Sequence, residues 1–287
     1  NNISILNNIG TTYQEDNQIN VAIDYFNKAL TIDPKIAEIN NNIGTCLQIQ
    51  GNITDSIKSF KKAIKLKSNF HIAHYNLGIS FYKLKKLNKA IECFKHAINI
   101  YPEYIDALNN LGNCYKEIDD ISKAISTYKK CIKFDPKNAQ SYNNLGACYQ
   151  DKEKISDAFE CYKKAIKLNS NYAHVYNNLG FLYKYQKEID NAIKAFRKAC
   201  TIDSNFAEAK TNLSYSLLLK GNYEEGWKEY EQRFLQDQSP SPHAKPNLIK
   251  WRENKPNKGD KLLIVSEQGL GDTVQFMRYV IYLQSQG

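Results

Sequence analysis

The chain has 287 residues and a formal net charge of +9, with 42% hydrophobic and 24% charged residues. These proportions are ordinary for a folded soluble protein. No run of apolar residues approaches the ~18 that a membrane-spanning helix needs, so the sequence predicts no membrane span. The chain lacks an initiator Met and opens within a helical pattern, so we expect it to be a piece of a longer protein.

A glycine recurs with a fixed period along most of the chain, and an asparagine precedes it by two residues. A regular period of this length is typical of repeat architectures. The glycines are Gly10, Gly44, Gly78, Gly112, Gly146 and Gly180. Each unit contains two helical patterns, and the units begin at Ile3, Ala37, His71, Ile105, Ala139, Ala173 and Ala207. The sequence therefore predicts about seven helix pairs.

Large and small residues complement each other between the two predicted helices of a unit. In the first helix the glycine lies mid-helix, where it costs ~1 kcal/mol relative to alanine. In the second helix an aromatic residue lies between two small ones, as in Ala90, Phe94 and Ala97. Large side chains that face small ones allow helices to pack closely. We therefore expect each glycine to mark a close approach of two helices.

The period and the positions of glycine, aromatic residue and alanine together resemble the tetratricopeptide repeat over Ile3–Phe206. The resemblance implies an all-α, right-handed superhelical solenoid in which each repeat packs mainly on its neighbours. It also implies that the first helices line a concave face and that the second helices lie outside. We place this solenoid at residues 3–234.

The seventh unit departs from the pattern. Ser214 replaces the glycine, and Gly226 replaces the small alanine of the second helix. Terminal repeats are atypical because one of their sides does not face another repeat. We therefore expect Trp227, Tyr230 and Phe234 to contact the segment that follows.

Beyond the repeats the pattern changes twice. Residues 235–259 are rich in proline and polar residues, which is typical of a linker. Lys261–Val265 is a short apolar run that predicts a buried parallel strand, and a glycine-containing turn and a helical pattern follow it. We interpret residues 260–287 as the truncated start of an α/β, Rossmann-like domain. The edge of its strand would allow self-association through this C-terminal segment.

Two successive positions of the first helices carry side-chain amides. The sixth position of every unit is asparagine, and the fifth position is asparagine in most units. An amide both donates and accepts, so a column of amides can bind the backbone of a peptide of any sequence. Alternatively, the column ties each repeat to the next. The predicted peptide-binding residues are Asn8, Asn42, Asn76, Asn110, Asn144, Asn178, Asn212, Asn109, Asn143, Asn177, Tyr75, Tyr82 and Phe181.

Two positions of the repeat that are predicted to face the groove carry no positive charge. Neither the second nor the fifth position carries Lys or Arg in any unit. Nucleic-acid binding requires cations along the path of the phosphates. We therefore expect an extended polypeptide in the groove, and neither nucleic acid nor an acidic tail. The lysines concentrate on the second helices, where they form a solvated face or meet an acidic surface; nucleic acid on that outer face is a third alternative.

The segment Glu267–Tyr279, with Trp251 upstream, resembles a junction found in bacterial proteins. There, tetratricopeptide repeats precede a glycosyltransferase domain similar to the heptosyltransferases. The resemblance implies that Asp272 is the general base for the acceptor hydroxyl and that Gly269 and Gly271 shape the loop at the cleft. Capping of the helix is the alternative role of Asp272. The half that would bind a sugar nucleotide is missing, so the chain alone should hold no cofactor and should not catalyse transfer.

The cysteines follow the repeat and are not spaced as pairs. Cys46, Cys114 and Cys148 share one unit position, and Cys93 and Cys161 share another. This arrangement is typical of small buried side chains in a reducing compartment, so we predict a cytoplasmic location. No C-x-x-C pair is present, so the sequence predicts no zinc site.

These observations favour a scaffold for protein–protein interaction that binds extended polypeptide in the concave groove. The alternative is that the chain is the N-terminal, acceptor-recruiting part of a glycosyltransferase.

Overall fold

The computed structural model describes residues 2–231 of the chain, and these residues form helices and no strands. The all-α solenoid predicted from the repeats is thereby confirmed. The helices are α1 (Asn2–Glu15), α2 (Ile19–Ile32), α3 (Ala37–Ile49), α4 (Ile53–Leu66), α5 (His71–Lys83), α6 (Leu87–Ile100), α7 (Ile105–Glu117), α8 (Ile121–Phe134), α9 (Ala139–Asp151), α10 (Ile155–Leu168), α11 (Ala173–Tyr185), α12 (Ile189–Ile202), α13 (Ala207–Lys220) and α14 (Tyr223–Glu231). Residues 232–234, the predicted linker 235–259 and the predicted Rossmann-like segment 260–287, including Trp251 and the self-association edge, lie outside the described residues.

The glycine of each odd-numbered helix from α1 to α11 lies against the aromatic ring of the next helix, as the sequence predicts. A Cβ atom added to Gly78 would lie 2.6 Å from Cε1 of Phe94, and one added to Gly112 would lie 2.5 Å from Cε1 of Tyr128. Both rings are completely buried, as are the small residues that flank them. The glycine thus makes room for a ring that fills the centre of the helix pair.

The connection within a helix pair contains one residue with a left-handed backbone. The residues are Asn17, Gly51, Lys85, Asp119, Glu153, Lys187 and Gly221, with φ between 56° and 87°. The amide of the following residue reaches back over the end of the helix, as in Gln18 N–H to the Tyr13 carbonyl at 2.8 Å. This is a Schellman-type helix end, which usually uses glycine. Five of these seven units accommodate another residue there, a feature that the repeat pattern does not predict.

The described chain divides into two compact units after Asp203. In the first unit, α2, α4, α6, α8 and α10 each pack on the odd-numbered helices before and after them, and α12 packs on α11. Consecutive odd-numbered helices also touch, as α1 and α3, α3 and α5, α7 and α9, and α9 and α11 do, whereas no two even-numbered helices of this unit pack to a comparable degree. Helices that are closer together lie on the shorter, inner side of a curved stack. The odd-numbered helices therefore form the inner layer of α1–α12.

The second unit contains α13 and α14 among the described residues. The hydroxyl of Ser214, which stands where the other units have glycine, donates to the Gly226 carbonyl at 3.0 Å. Tyr230 is buried and its ring contacts those of Tyr215 and Trp227, whereas Trp227 is 47% exposed. That Trp227, Tyr230 and Phe234 contact the following segment stays a prediction, because Phe234 and that segment lie outside the described residues.

All seven cysteines are free thiols, and five of them are buried. Burial raises the pKa of the thiols of Cys46 and Cys148 to about 11 and that of Cys114 to about 12. They are thus neutral, small core side chains, as the repeat positions predict. In the described part of the chain, no group of His, Cys, Asp and Glu side chains could hold a metal ion. No helix in residues 2–231 is long and apolar enough to cross a membrane.

Candidate peptide-binding groove

The predicted asparagine columns lie on the inner helices and form a ladder between repeats. Nδ2 of Asn42 donates to Oδ1 of Asn7 at 3.1 Å, and Nδ2 of Asn76 donates to Oδ1 of Asn41 at 3.0 Å. Nδ2 of Asn178 likewise donates to Oδ1 of Asn143 at 2.9 Å. In each case the sixth position of one unit bonds to the fifth position of the preceding unit. The ladder thus fixes the register of successive inner helices.

In the middle of the first compact unit, the ladder changes its partners. Because Tyr75 replaces the asparagine of the fifth position, Nδ2 of Asn110 donates to the Tyr75 hydroxyl at 3.2 Å and also to the Asp106 carbonyl at 2.9 Å. Nδ2 of Asn144 donates to Oδ1 of Asn113 at 3.3 Å. Asn113 was not among the predicted site residues, although the ninth unit position, which it occupies, follows the same period.

In the first compact unit most fifth-position amides are buried, whereas the sixth-position amides reach the surface. Asn109, Asn143 and Asn177 are only 4%, 6% and 2% exposed. Oδ1 of Asn109 accepts from the Ser141 hydroxyl at 2.8 Å, and Nδ2 of Asn143 donates to Oδ1 of Asn144 at 3.3 Å. A buried polar group must find hydrogen-bond partners. The buried fifth-position amide therefore holds the neighbouring sixth-position amide in a fixed orientation.

The half-buried amides of the sixth position retain bonding capacity after the ladder is formed. Asn42, Asn76, Asn144 and Asn178 are half-buried, and Asn8 is exposed. An asparagine amide has two N–H donors and an oxygen with two acceptor positions. The ladder uses one donor of each of these four amides, and in Asn42 and Asn144 it also uses one acceptor position. The remaining donor and acceptor match the C=O and N–H of a peptide unit. Asn212, in the seventh repeat, is buried and belongs to the second compact unit.

The three predicted aromatic residues have different surroundings. The ring of Tyr75 lies 4.9 Å from that of Tyr104, and burial raises the pKa of the Tyr75 hydroxyl. The hydroxyl of Tyr82 donates to the Glu117 carboxylate. Phe181 is half-buried, and its ring meets the edge of a core phenylalanine. Tyr82 and Phe181 thus keep part of their surface accessible on the inner helices.

A depression of about 340 Å³ on the inner layer is lined by Tyr82, Asn113, Lys116 and Glu117. Lys116 forms an ion pair with Asp151 at 3.3 Å, and Glu117 accepts from Lys85 at 3.2 Å. Lys116 and Glu117 occupy the twelfth and thirteenth positions of their repeat. The absence of Lys and Arg from the second and fifth positions therefore did not predict them. Since each charge has an opposite partner, this part of the groove has no local excess of cations.

The predicted catalytic residue Asp272 and the predicted loop residues Gly269 and Gly271 lie outside the described residues. Their roles stay predictions. The described site is therefore a binding surface of amides, aromatic rings and paired charges.

Models of the tetratricopeptide repeat family match residues 3–36, 35–103, 69–137, 139–172 and 173–206. Protein FlbA of Caulobacter vibrioides is 40% identical over 60 residues, which are 21% of this chain and 10% of FlbA. The matched stretch thus spans only a small part of that relative.

Two solved structures illustrate the similarity of fold. The crystal structure of MamA has a TM-score of 0.53 at 28% identity and covers 59% of this chain and 92% of MamA. YrrB, described as a TPR protein with an unusual peptide-binding site, has a TM-score of 0.53 at 18% identity. That match covers 64% of this chain and 95% of YrrB.

Proposed function

Because the chain belongs to the tetratricopeptide repeat family, we propose that it is a protein-interaction scaffold that binds an extended polypeptide along its inner helices. The observation that carries the proposal is the amide ladder. Each cross-repeat hydrogen bond holds one sixth-position amide in place and leaves a second donor and an acceptor at the surface. A site whose donors are fixed in advance loses little conformational entropy on binding.

The chemistry of the partner follows from the side chains beside the ladder. Ile72 is 39% exposed, and Ile79 and Tyr82 are half-buried on the same helix. These apolar groups lie between the amide-rich helices α3 and α7. The partner is therefore a peptide in extended conformation whose backbone meets the amides and whose apolar side chains meet the middle of the groove. The description of YrrB as having a peptide-binding site supports this class of partner.

Backbone recognition can be tested without knowledge of the natural partner. The probe is a fluorescein-labelled, unstructured peptide with alternating apolar side chains. The control is a second peptide of the same sequence that carries N-methyl groups on alternate backbone amides. We expect anisotropy measurements to show binding of the first peptide and roughly tenfold weaker binding of the second, since each N-methyl group removes one backbone donor. Equal affinity for both peptides would contradict backbone recognition.

A pair of variants separates binding from stability. Asn76→Ala removes both the ladder bond and the surface amide, whereas Asn41→Ala removes the ladder partner of Asn76 from a buried position. Both variants lose the same cross-repeat bond. We expect Asn76→Ala to bind the peptide more weakly than Asn41→Ala at temperatures where both are fully folded. The reverse order would mean that the column serves only to join the repeats.

The acceptor-recruiting role in a glycosyltransferase remains a second proposal, motivated by residues 260–287. If it holds, the complete chain should contain a second Rossmann-like half and should bind a sugar nucleotide. Sugar transfer by that chain should be lost in Asp272→Asn, and normal turnover of this variant would remove the assignment of Asp272 as the base.

A further inference from the structure

A cleft of about 420 Å³ lies between α6, α7 and α8, and no residue of the amide ladder lines it. Its floor is apolar and consists mainly of Leu108, Leu111, Tyr115, Ile98 and Pro102. Leu108, Leu111 and Tyr115 belong to the packed core and are 2%, 6% and 6% exposed. The half-buried Ile98 and the exposed Pro102 extend this apolar floor to the surface. A cleft of this size admits one apolar side chain of a partner.

Three cations surround this cleft. Lys95, Lys123 and Lys130 line it, and no carboxylate is among its lining residues. The ammonium groups of Lys95 and Lys123 lie 5.8 Å and 5.6 Å from the centre of the Tyr115 ring. Of the three, Lys123 also pairs with Asp120 at 2.5 Å, a contact at the helix start outside the cleft lining. The rim is therefore positively charged, and its surface favours a partner with carboxylates.

The adjacent repeats carry rings at the position of Leu108. Where α7 has Leu108, the preceding inner helix has His74, whose ring stacks on His96 at 5.4 Å. The two following inner helices have Tyr142 and Tyr176 at this position, and the Tyr176 hydroxyl donates to the Ser170 carbonyl at 3.3 Å. Leu108 is thus shorter than the ring-bearing side chains that the adjacent repeats carry at this position.

The charge of the cleft also differs from that of its equivalents. Ser126 lines the cleft, whereas Glu92 and Glu160 occupy the same position of the units before and after it. In the following unit Lys163 forms an ion pair with Glu160 at 3.0 Å. Leucine and serine therefore stand at one interface of the solenoid where both adjacent repeats have a ring and a carboxylate.

We infer that this cleft is a second docking site, which binds an acidic segment of a partner polypeptide through one aromatic or large aliphatic side chain flanked by carboxylates. The apolar side chain covers Leu108 and Leu111, and the carboxylates meet Lys95 and Lys130. A polypeptide fits better than a polyphosphate chain, because a purely anionic ligand would leave the apolar floor uncovered. The site is independent of the amide ladder, so a partner here and a peptide in the groove can bind together.

The test uses a fluorescein-labelled peptide with one central phenylalanine flanked by glutamates, and anisotropy at moderate salt. Leu108→Tyr fills the cleft with the residue that the next two repeats carry, and we expect it to weaken binding by roughly tenfold or more because the apolar contact is lost. Lys130→Glu should weaken binding similarly. Its matched control is Lys164→Glu, an equally exposed lysine at the same position of the next unit, which should have little effect.

Each outcome of these measurements supports or contradicts the second docking site. No binding by the unmodified protein, or equal loss in Lys130→Glu and Lys164→Glu, would overturn the inference, since only general charge attraction would remain. A single-stranded oligonucleotide of equal net charge that binds as tightly as the peptide would overturn the assignment to a polypeptide. If Leu108→Tyr does not fold by circular dichroism, Ser126→Glu restores the carboxylate of the neighbouring units at an exposed position and should weaken binding as well.

Discussion

Nδ2 of Asn76 on α5 donates a hydrogen bond to Oδ1 of Asn41 on α3 at 3.0 Å, across the boundary between two repeats. Asn41 is only 6% exposed, and its own amide donates to Asn42 at 3.4 Å. One buried amide thus connects the sixth positions of two successive units. The relation explains how a polar column can occupy the inner helices without weakening the stack.

This bond should be measurable as a coupling energy. We expect Asn41→Ala and Asn76→Ala each to lower the free energy of unfolding by ~1 kcal/mol or somewhat more, with the larger loss for the buried Asn41. The double variant should lose less than the sum of the two by ~0.5–1.5 kcal/mol, because the shared bond can be lost only once. Urea unfolding of the four proteins supplies the cycle, and strict additivity would show that the bond contributes nothing.

The contact between Gly112 and Tyr128 predicts that a methyl group at the glycine is harmful. Gly112→Ala gains ~1 kcal/mol in helix propensity. The added Cβ atom would lie 2.5 Å from the buried ring, however, and such overpacking costs ~1–3 kcal/mol. We expect a net loss of stability, seen as a lower midpoint of thermal unfolding. In the background of Tyr128→Leu, which shortens the opposing side chain, Gly112→Ala should cost less stability; an equal cost in both backgrounds would contradict the steric explanation.

The left-handed residues between helices predict a stabilising substitution. Glu153 has φ of 56°, a conformation that costs a residue with a Cβ atom roughly 1–2 kcal/mol. Glu153→Gly removes this strain but increases the entropy of the unfolded chain. We expect a net gain of up to ~1 kcal/mol in urea unfolding. Asn17→Gly is the matched control, since asparagine tolerates the conformation better and should gain less.

The buried thiols predict that the protein loses stability in alkali. Burial raises the pKa of Cys46 to about 11, whereas an exposed thiol has a pKa of about 8.5. Between these values the unfolded chain releases the proton and the folded chain keeps it, so stability is complete below about 8.5 and falls as the pH rises. We expect a loss of up to ~1.4 kcal/mol per pH unit for each such thiol.

Unfolding of the protein and of Cys46→Ala between about pH 8 and pH 10 tests this expectation. The variant starts from a lower stability because a core atom is missing. Its stability should nevertheless fall less steeply with pH, since one titrating group is absent. Parallel curves would mean that Cys46 titrates equally in both states.

The cleft at Leu108 could be predicted from the sequence only in part. The repeat register places Leu108 in the column of His74, Tyr142 and Tyr176, so its difference from the adjacent repeats is visible in the sequence. A shorter side chain can be compensated by its neighbours, however, and the register cannot show whether they close the gap. Here the space stays open and Lys95 and Lys130 lie beside it, which depends on the stacking of α6 on α7 and of α8 on α7.

The sequence by itself determined the period, the helix pairs and the buried core, because equivalent positions such as Gly78 and Phe94 carry the same steric requirement in every unit. It also located the amide columns but left their role open between peptide contact and connection of repeats. Only the tertiary structure decided that Asn76 bonds to Asn41, because contacts between units depend on the angle at which successive repeats pack. The same angle determines that Asn41 is buried while Asn76 remains partly at the surface.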